Sequence, residues 1–211
     1  GIEYKDNLKP FIREVKSKLK FENPKNLVIF IQESLGAQFT GFAGNEKNIT
    51  PNLDKLASEY LSFTNLYSNG TRSVRGLAAL TSGTLPIAGN EVIKRNKSQS
   101  DYFTVASLLK PYGYKSSFIY GGAARFDNMK SWYLGNGFDE VIEQKDYVNP
   151  IFTSTWGVSD EDLVIKANDY FKEHSKNNEK FVSVMFSSSN HAPFELPDGK
   201  IEFIDGIEKY S

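Results

Sequence analysis

The run NLVIFI, Asn26 to Ile31, constrains this chain more than any other segment. An uninterrupted apolar stretch of strand length, with no polar alternation, is the pattern of a strand covered on both faces of a sheet. Glu33 follows at its carboxyl end. The same arrangement returns late in the chain, where the apolar strand KFVSVMF runs into SSSN and His191. KSSFIYGG reads as a strand between them, and SFTNLYS, from Ser62, alternates as a strand does.

Helical spacing fills the intervals. ITPNLDKLASEYL has Thr50 as N-cap and Pro51 at the first helical position, and sets Leu53, Leu56, Ala57 and Tyr60 on one face. SNGTRSVRGLAALTSG is a glycine-bearing turn entering a helix that ends near Gly83. DYFTVASLLKPYGY is a helix stopped by Pro111 and Gly113. SDEDLVIKANDYFKEHSK runs from acidic to basic, with Asp160, Glu161 and Asp162 at the positive end of its dipole. Ahead of the first strand, LKPFIREVKSKLK spaces Phe11, Ile12, Val15 and Leu19 helically before Asn23-Pro24 breaks the pattern. Strand and helix alternate throughout, which predicts an α/β fold with a mostly parallel sheet and right-handed crossovers. Residues 1–25 read as a helical lead-in and 26–211 as one domain. The stretch 84–101 is a long loop of the kind found near functional sites.

Composition excludes several functions. A net charge of −1 gives no basic field for nucleic acid. The absence of cysteine removes disulfides, thiolate metal sites and Cys nucleophiles. No stretch reaches the ~18 apolar residues of a membrane span. The chain begins GIEYKDN, without Met, and ends IEKYS on what reads as the first turn of a helix, so an excised piece is expected.

In an open α/β sheet, ligands bind beyond the carboxyl ends of the strands. Three such ends carry polar groups: Glu33, the SNGT turn with Thr71, and Asn190-His191. Thr71 sits where a glycine turn enters a helix, a place that favours phosphate. Its hydroxyl needs a base or a metal ion for activation, and Glu33 is a suitable oxygen ligand for that metal. Each residue also has a plainer reading. Glu33 fits a solvated loop carboxylate, Thr71 an N-cap, His191 a turn residue, Arg72 and Arg75 helix surface, and His174 a solvated position on a Lys-rich face. The convergence of three strand ends points to a site without naming its reaction.

Five segments in order carry a resemblance: NLVIFIQESLGA, TPNLDKLASEYLSFTNLYSNGTRSVRG, FIYGGAARFDNMKSWYLGNGFD, WGVSDEDL and SSSNHAPFELPDG. Together they resemble the sulfatase-like family that includes lipoteichoic acid synthases and bacterial phosphoglycerol transferases. The resemblance implies an alkaline-phosphatase-like core and a divalent ion, manganese before magnesium, zinc or calcium. It puts Glu33 on the family's first metal-binding carboxylate and Thr71 on the metal-touching nucleophile. His191 falls on a histidine associated with substrate phosphate or glycerol. Arg72, Arg75 and Asp127 are further candidate substrate contacts.

The activity that the resemblance implies is that of a phosphotransferase or phosphodiesterase acting on glycerol-phosphate or lipid-linked substrates. Its full-length form would be membrane-anchored, with this domain periplasmic or extracellular. Two departures stand out. Where lipoteichoic acid synthases carry Trp-x-Arg after the phenylalanine matching Phe126, this chain has Asp127-Asn128-Met129. The family's later Asp-His metal pair is expected beyond Ser211, so 26–211 reads as the N-terminal part of the catalytic domain. Sulfuryl transfer and a non-catalytic lipid- or phosphate-binding domain are the competing readings.

Overall fold

The computed structural model describes residues 25–200 except Pro86. The helix expected at 8–20, the Asn23-Pro24 break and the turn expected at 207–211 lie outside the described residues. The strands β1 (Leu27–Ile31), β2 (Tyr114–Tyr120), β3 (Glu140–Ile142) and β6 (Lys180–Phe186) form one parallel sheet in the order β1-β6-β2-β3. A separate antiparallel ribbon joins β4 (Thr153–Ser154) to β5 (Gly157–Val158). Ile31 and Tyr120 both stand opposite Phe186, so three parallel strands end at one level. The chain leaving that level carries Glu33 after β1 and Asn190-His191 after β6, whereas the turn with Thr71 follows α1 and no strand.

Five α-helices accompany the sheet: α1 (Pro51–Glu59), α2 (Ser73–Ser82), α3 (Val105–Leu109), α4 (Met129–Gly135) and α5 (Asp160–Lys176). Side chains alternate across a strand, so β2 sends Phe118 and Tyr120 to one face and Ile119 to the other. On the first face Phe118, Val184 and Phe186 pack with Leu77 of α2 and with Trp132 and Tyr133 of α4. On the second, Ile119 and Met185 pack with Leu163 and Ala167 of α5. The central strands therefore need apolar residues in both phases, which is why their sequences read as near-continuous runs.

Helix ends follow the chemistry of their residues. Gly83 closes α2 in the left-handed conformation at φ 69°, and Gly113 closes the Lys110–Tyr112 turn after α3 at φ 78°. Pro111 lies inside that 3-10 turn, so it tightens the helix end and Gly113 terminates it. At the start of α5 the Ser159 hydroxyl accepts from the Asp162 N–H. The Asp162 carboxylate in turn accepts from the Ile151 and Phe152 N–H groups at 2.7 and 3.2 Å.

Three sequence expectations are corrected. SFTNLYS forms no strand; residues 61–72 run as turns and irregular chain, because alternation there finds no partner strand among the described residues. β1 is not covered on both faces. Among the described residues it pairs with β6 alone and leaves Val28 and Phe30 42% and 47% exposed, since an apolar run does not specify how many neighbours a strand acquires. The apolar face of α1 buries nothing among the described residues, and Leu56 and Tyr60 are exposed.

Close backbone crossing explains the glycines after β2. Gly157 has φ +125°, and a Cβ there would collide with the Gly121 carbonyl oxygen. Only glycine lets the β4–β5 ribbon cross the end of β2, where the Val158 N–H donates to Gly121 O at 3.0 Å. That crossing fixes Trp156 beside the strand ends.

Acid sensitivity follows from the carboxylates of this framework. Burial opposes ionisation of Asp162, but the Ser159 hydroxyl and the Ile151 and Phe152 N–H groups outweigh it and hold its pKa below the usual 3.8. Burial likewise opposes ionisation of Glu143, and Lys130, the Ala124 N–H and Lys145 hold it below 4.5. Both folded-state values are depressed, so their stabilisation is fully present above the unfolded values and is lost as pH falls through the folded ones. Urea midpoints are expected to be level above about pH 5.5 and to drop below about pH 4. A midpoint unchanged down to about pH 3 would contradict this role for the two carboxylates.

Candidate active site

Glu33 lies two residues past β1 and is gripped through its backbone by the chain leaving β6. Its N–H donates to Ser187 Oγ at 2.8 Å, and its carbonyl accepts from Asn190 Nδ2 at 3.3 Å. Ser187 N–H donates to Ile31 O at 3.1 Å, extending the β1–β6 pairing past the strand ends. The carboxylate is left facing two hydroxyls: Ser34 donates to Oε1 at 3.1 Å and Ser73 to Oε2 at 2.8 Å. Among the described residues Glu33 forms no ion pair.

Thr71 is exposed and stands two residues before α2, whose N-cap is Arg72. The reading of Thr71 as the cap of that helix is thereby set aside. Thr71, Arg72 and Ser73 line a cavity of about 420 Å³ together with Glu33, Asp127 and His191. Five of the six residues marked from sequence thus share one cavity. Arg75 does not line it; its guanidinium lies 3.7 Å from Glu91, on the α2 side of the 84–101 loop. His174 does not line this cavity, and it is not the solvated residue expected: its side chain is only 16% exposed, lies 2.6 Å from Glu179 and packs against Tyr170.

The loop bearing His191 is anchored by α5. Asp160 Oδ1 accepts from the Ser188 and Ser189 N–H groups at 2.8 and 3.1 Å, and the Asp160 N–H donates to Ser189 Oγ at 2.9 Å. His191 Nδ1 lies 2.8 Å from Ala192 O. A carbonyl oxygen only accepts, so in this contact Nδ1 is the donor, and Nε2 is not engaged by it. The imidazole packs on Trp156 at 4.2 Å between ring centroids, and Phe126 meets the indole edge-on at 5.6 Å. Trp156 Nε1 donates to the same Ala192 carbonyl at 2.7 Å. One wall of the cavity is therefore aromatic.

Tyr120, at the end of β2, also lines the cavity. Burial first, then the charges of Glu33 and Asp127, push its phenol up to about 12, so at neutral pH it is a neutral hydroxyl. The Asp127-Asn128-Met129 stretch adopts left-handed backbone at Asp127 (φ 53°) and Asn128 (φ 60°), while Met129 is buried at 2% exposure. Sequence reading passed over Ser73, Ser187, Lys94, Tyr120 and Trp156. Ser73 and Trp156 sat inside motifs already quoted, whereas Lys94 reaches the cavity only through the fold of the 84–101 loop.

Residues 25–202 match the model of the family described as Sulfatase. The chain belongs to the sulfatase family. It is 27% identical over 191 residues to lipoteichoic acid synthase 2 of Bacillus subtilis, covering 86% of this chain and 28% of that protein. It is 28% identical over 207 residues to phosphoglycerol transferase I of Xanthomonas campestris, covering 87% of this chain and 29% of that protein. A solved protein of the alkaline phosphatase superfamily from Vibrio parahaemolyticus is 54% identical with a TM-score of 0.83, over 88% of this chain and 45% of that one. The sulfatase-family chain therefore has the alkaline-phosphatase-like α/β fold expected from its motifs, and spans less than a third of these two curated relatives. No helix among the described residues is long and apolar enough to cross a membrane.

Proposed function

We propose that this sulfatase-family chain carries the nucleophile half of a metal-dependent phosphotransferase or phosphodiesterase acting on phosphoglycerol-type or lipid-linked phosphodiesters. The observation that carries the reading is the sharing of one cavity by the Thr71 hydroxyl and a Glu33 carboxylate that no described cation neutralises. The relatives named as phosphoglycerol transferase and lipoteichoic acid synthase support the phosphodiester class. Sulfuryl transfer is disfavoured because known sulfatases derive their nucleophile from Cys or Ser, and this chain has Thr71 there and no cysteine. In the full-length protein we place this domain outside the cell membrane that anchors it, where such substrates lie.

The donor set fits a hard divalent cation, manganese in the first instance. Glu33 and Thr71 present oxygen only, with no thiolate or imidazole between them. Among the described residues no group of three or more His, Asp or Glu gathers, so Glu33 and Thr71 supply part of a shell. A cation held there would lower the Thr71 hydroxyl pKa and offset charge on the phosphoryl oxygens.

The chain's own groups divide the remaining work. Thr71 Oγ forms a bond to phosphorus as the ester P–O bond breaks, and the Thr71 proton ends on the departing alcohol. An acceptor hydroxyl or water then attacks phosphorus, the Oγ–P bond breaks, and a proton returns to Thr71. His191 offers Nε2 as a proton acceptor when neutral and a donor when charged. Asp160 and Trp156 hold its loop and ring in place. Arg72 extends from the cap of α2 as a counter-charge for phosphate oxygens.

The test is to trap the intermediate. Full-length protein with Mn2+ is mixed with a p-nitrophenyl phosphodiester, quenched in acid and digested. A phosphoryl or phosphodiester mass increment on the peptide containing Thr71 is the expected result. Nitrophenol release with the increment on another residue would overturn the assignment. Absence of release, together with absence of metal binding, would favour the non-catalytic phosphate-binding reading that the two-ligand shell leaves open.

A further inference from the structure

The cavity contains a cation that neither the motifs nor the comparisons assign. Lys94 closes a 3-10 turn, Val92–Lys94, in the 84–101 loop, and its side chain lines the same cavity as Thr71 and Glu33. Its placement is fixed from several directions. Val92 and Ile93 are buried in the core beneath it, at 6% and 0% exposure. Asn128 Nδ2 donates to the Lys94 carbonyl at 3.1 Å, and Asp127 Oδ1 lies 2.8 Å from Nζ. Glu91 stands further off, at 3.9 Å, and is shared with Arg75.

This is an unusual amount of structure for one lysine. Asp127 and Asn128 both adopt left-handed backbone in presenting their side chains to it. A surface lysine whose only task was solvation would need none of this, because its flexible stem loses entropy when held. Nζ has three protons to donate, Asp127 at 2.8 Å takes one of them, and Glu91 stands beyond hydrogen-bond reach at 3.9 Å, so donors remain for a group in the cavity. Tyr120, protonated at neutral pH, lines the same cavity and feels the charges of Glu33 and Asp127. The lysine and the phenol thus add two donors to a cavity that also holds Glu33 and Thr71.

We infer that Lys94, positioned by Asp127, is the specificity-determining cation of this cavity, binding a phosphate oxygen of the substrate as a point charge. Asp127 is then a positioning residue rather than a direct substrate contact, which revises the role expected of it from sequence. The inference rests on the proposed phosphodiester reading of the site for its substrate class, and on the cavity alone for the anion.

The experiment measures binding of sn-glycerol 1-phosphate, with glycerol as the uncharged control, to full-length protein by titration calorimetry at two salt concentrations. Lys94→Met is expected to weaken the phosphate by about tenfold or more, the scale of a hydrogen bond to a charged group, and to flatten its salt dependence. Lys94→Arg is expected to restore binding to within about threefold. Asp127→Asn is expected to weaken binding by a smaller factor and to leave the melting temperature of Lys94→Met unaltered in the double variant. Binding unchanged in Lys94→Met, with a native melting temperature, overturns the inference; so does a wild-type protein that binds neither compound. Thr71→Ala separates the two readings. If it abolishes turnover while Lys94→Met leaves phosphate affinity intact, the lysine inference alone fails. If Lys94→Met loses phosphate while wild type turns over no phosphodiester, the catalytic reading alone fails.

Discussion

Thr71→Ala is expected to lower turnover of a phosphodiester by at least ~10³-fold, with substrate affinity changed far less. The size of the effect follows from what is removed. Thr71 is exposed, lies outside α2 and does not cap it, so its loss deletes the oxygen proposed to attack without disturbing a structural hydrogen bond of that helix. Thr71→Ser keeps a hydroxyl at the same place and is expected to retain measurable activity, which separates loss of nucleophile from loss of shape. Steady-state kinetics with a nitrophenyl phosphodiester in the presence of Mn2+ read the difference. Activity in Thr71→Ala within tenfold of wild type would remove Thr71 from the reaction.

Glu33→Gln is expected to weaken Mn2+ binding by about 100-fold or more while leaving the fold intact. The backbone grip on this residue, from Ser187 and Asn190, does not involve the carboxylate. The amide can still accept from Ser73 through its oxygen, so the shape of the cavity survives and only the charge is removed. Calorimetric titration of the metal into full-length protein gives the affinity, and the melting temperature without metal gives the control. Because Glu33 forms no ion pair among the described residues, the metal-free melting temperature is expected to stay level or rise. An unchanged Mn2+ affinity would show that the ion is held without Glu33. A collapsed melting temperature would show that the carboxylate serves packing instead.

Much of the fold was legible because the central strands must be apolar in both phases. β2 and β6 are buried along nearly their whole length, and their sequences say so. The acidic start and basic end of α5 were equally clear, though Asp160 proved to anchor the Ser188–Ser189 backbone as well as to meet the helix dipole. β3 and α4 went unread as elements: three residues of strand are too short to establish a period, and α4 lies inside a segment taken only for its family resemblance. β1 and SFTNLYS were misjudged for one shared reason. Their patterns report side-chain character, whereas burial and pairing depend on which neighbours the fold supplies.

The candidate site divides the same way. Glu33 and His191 were visible because strand ends converge in a parallel sheet, while Thr71 was visible from the glycine turn entering α2, since the strand expected before it does not form. Ser187 was not, since a serine in a run of three carries no sign that its hydroxyl receives the Glu33 N–H. Lys94 was hidden more deeply. Nothing in its local sequence distinguishes it from the neighbouring lysines, and only burial of Val92 and Ile93 turns it inward. Arg75, marked for its nearness to Thr71 in sequence, is carried around α2 to Glu91.

The grip of the 187–190 segment on Glu33 has a consequence for how the site is lost. Its two sides are 154 to 157 positions apart in sequence and meet only where β1 lies along β6. Among the described residues β1 is an edge strand, paired there with β6 alone and half open to water. Such a strand detaches locally at a smaller free-energy cost than the buried β2 and β6 require. A local detachment of β1 would separate Glu33 from His191 while β2 and β6 stayed paired. The two sides of the candidate site are thus joined through one strand pair, and opening that pair alone would undo the site without unfolding the core.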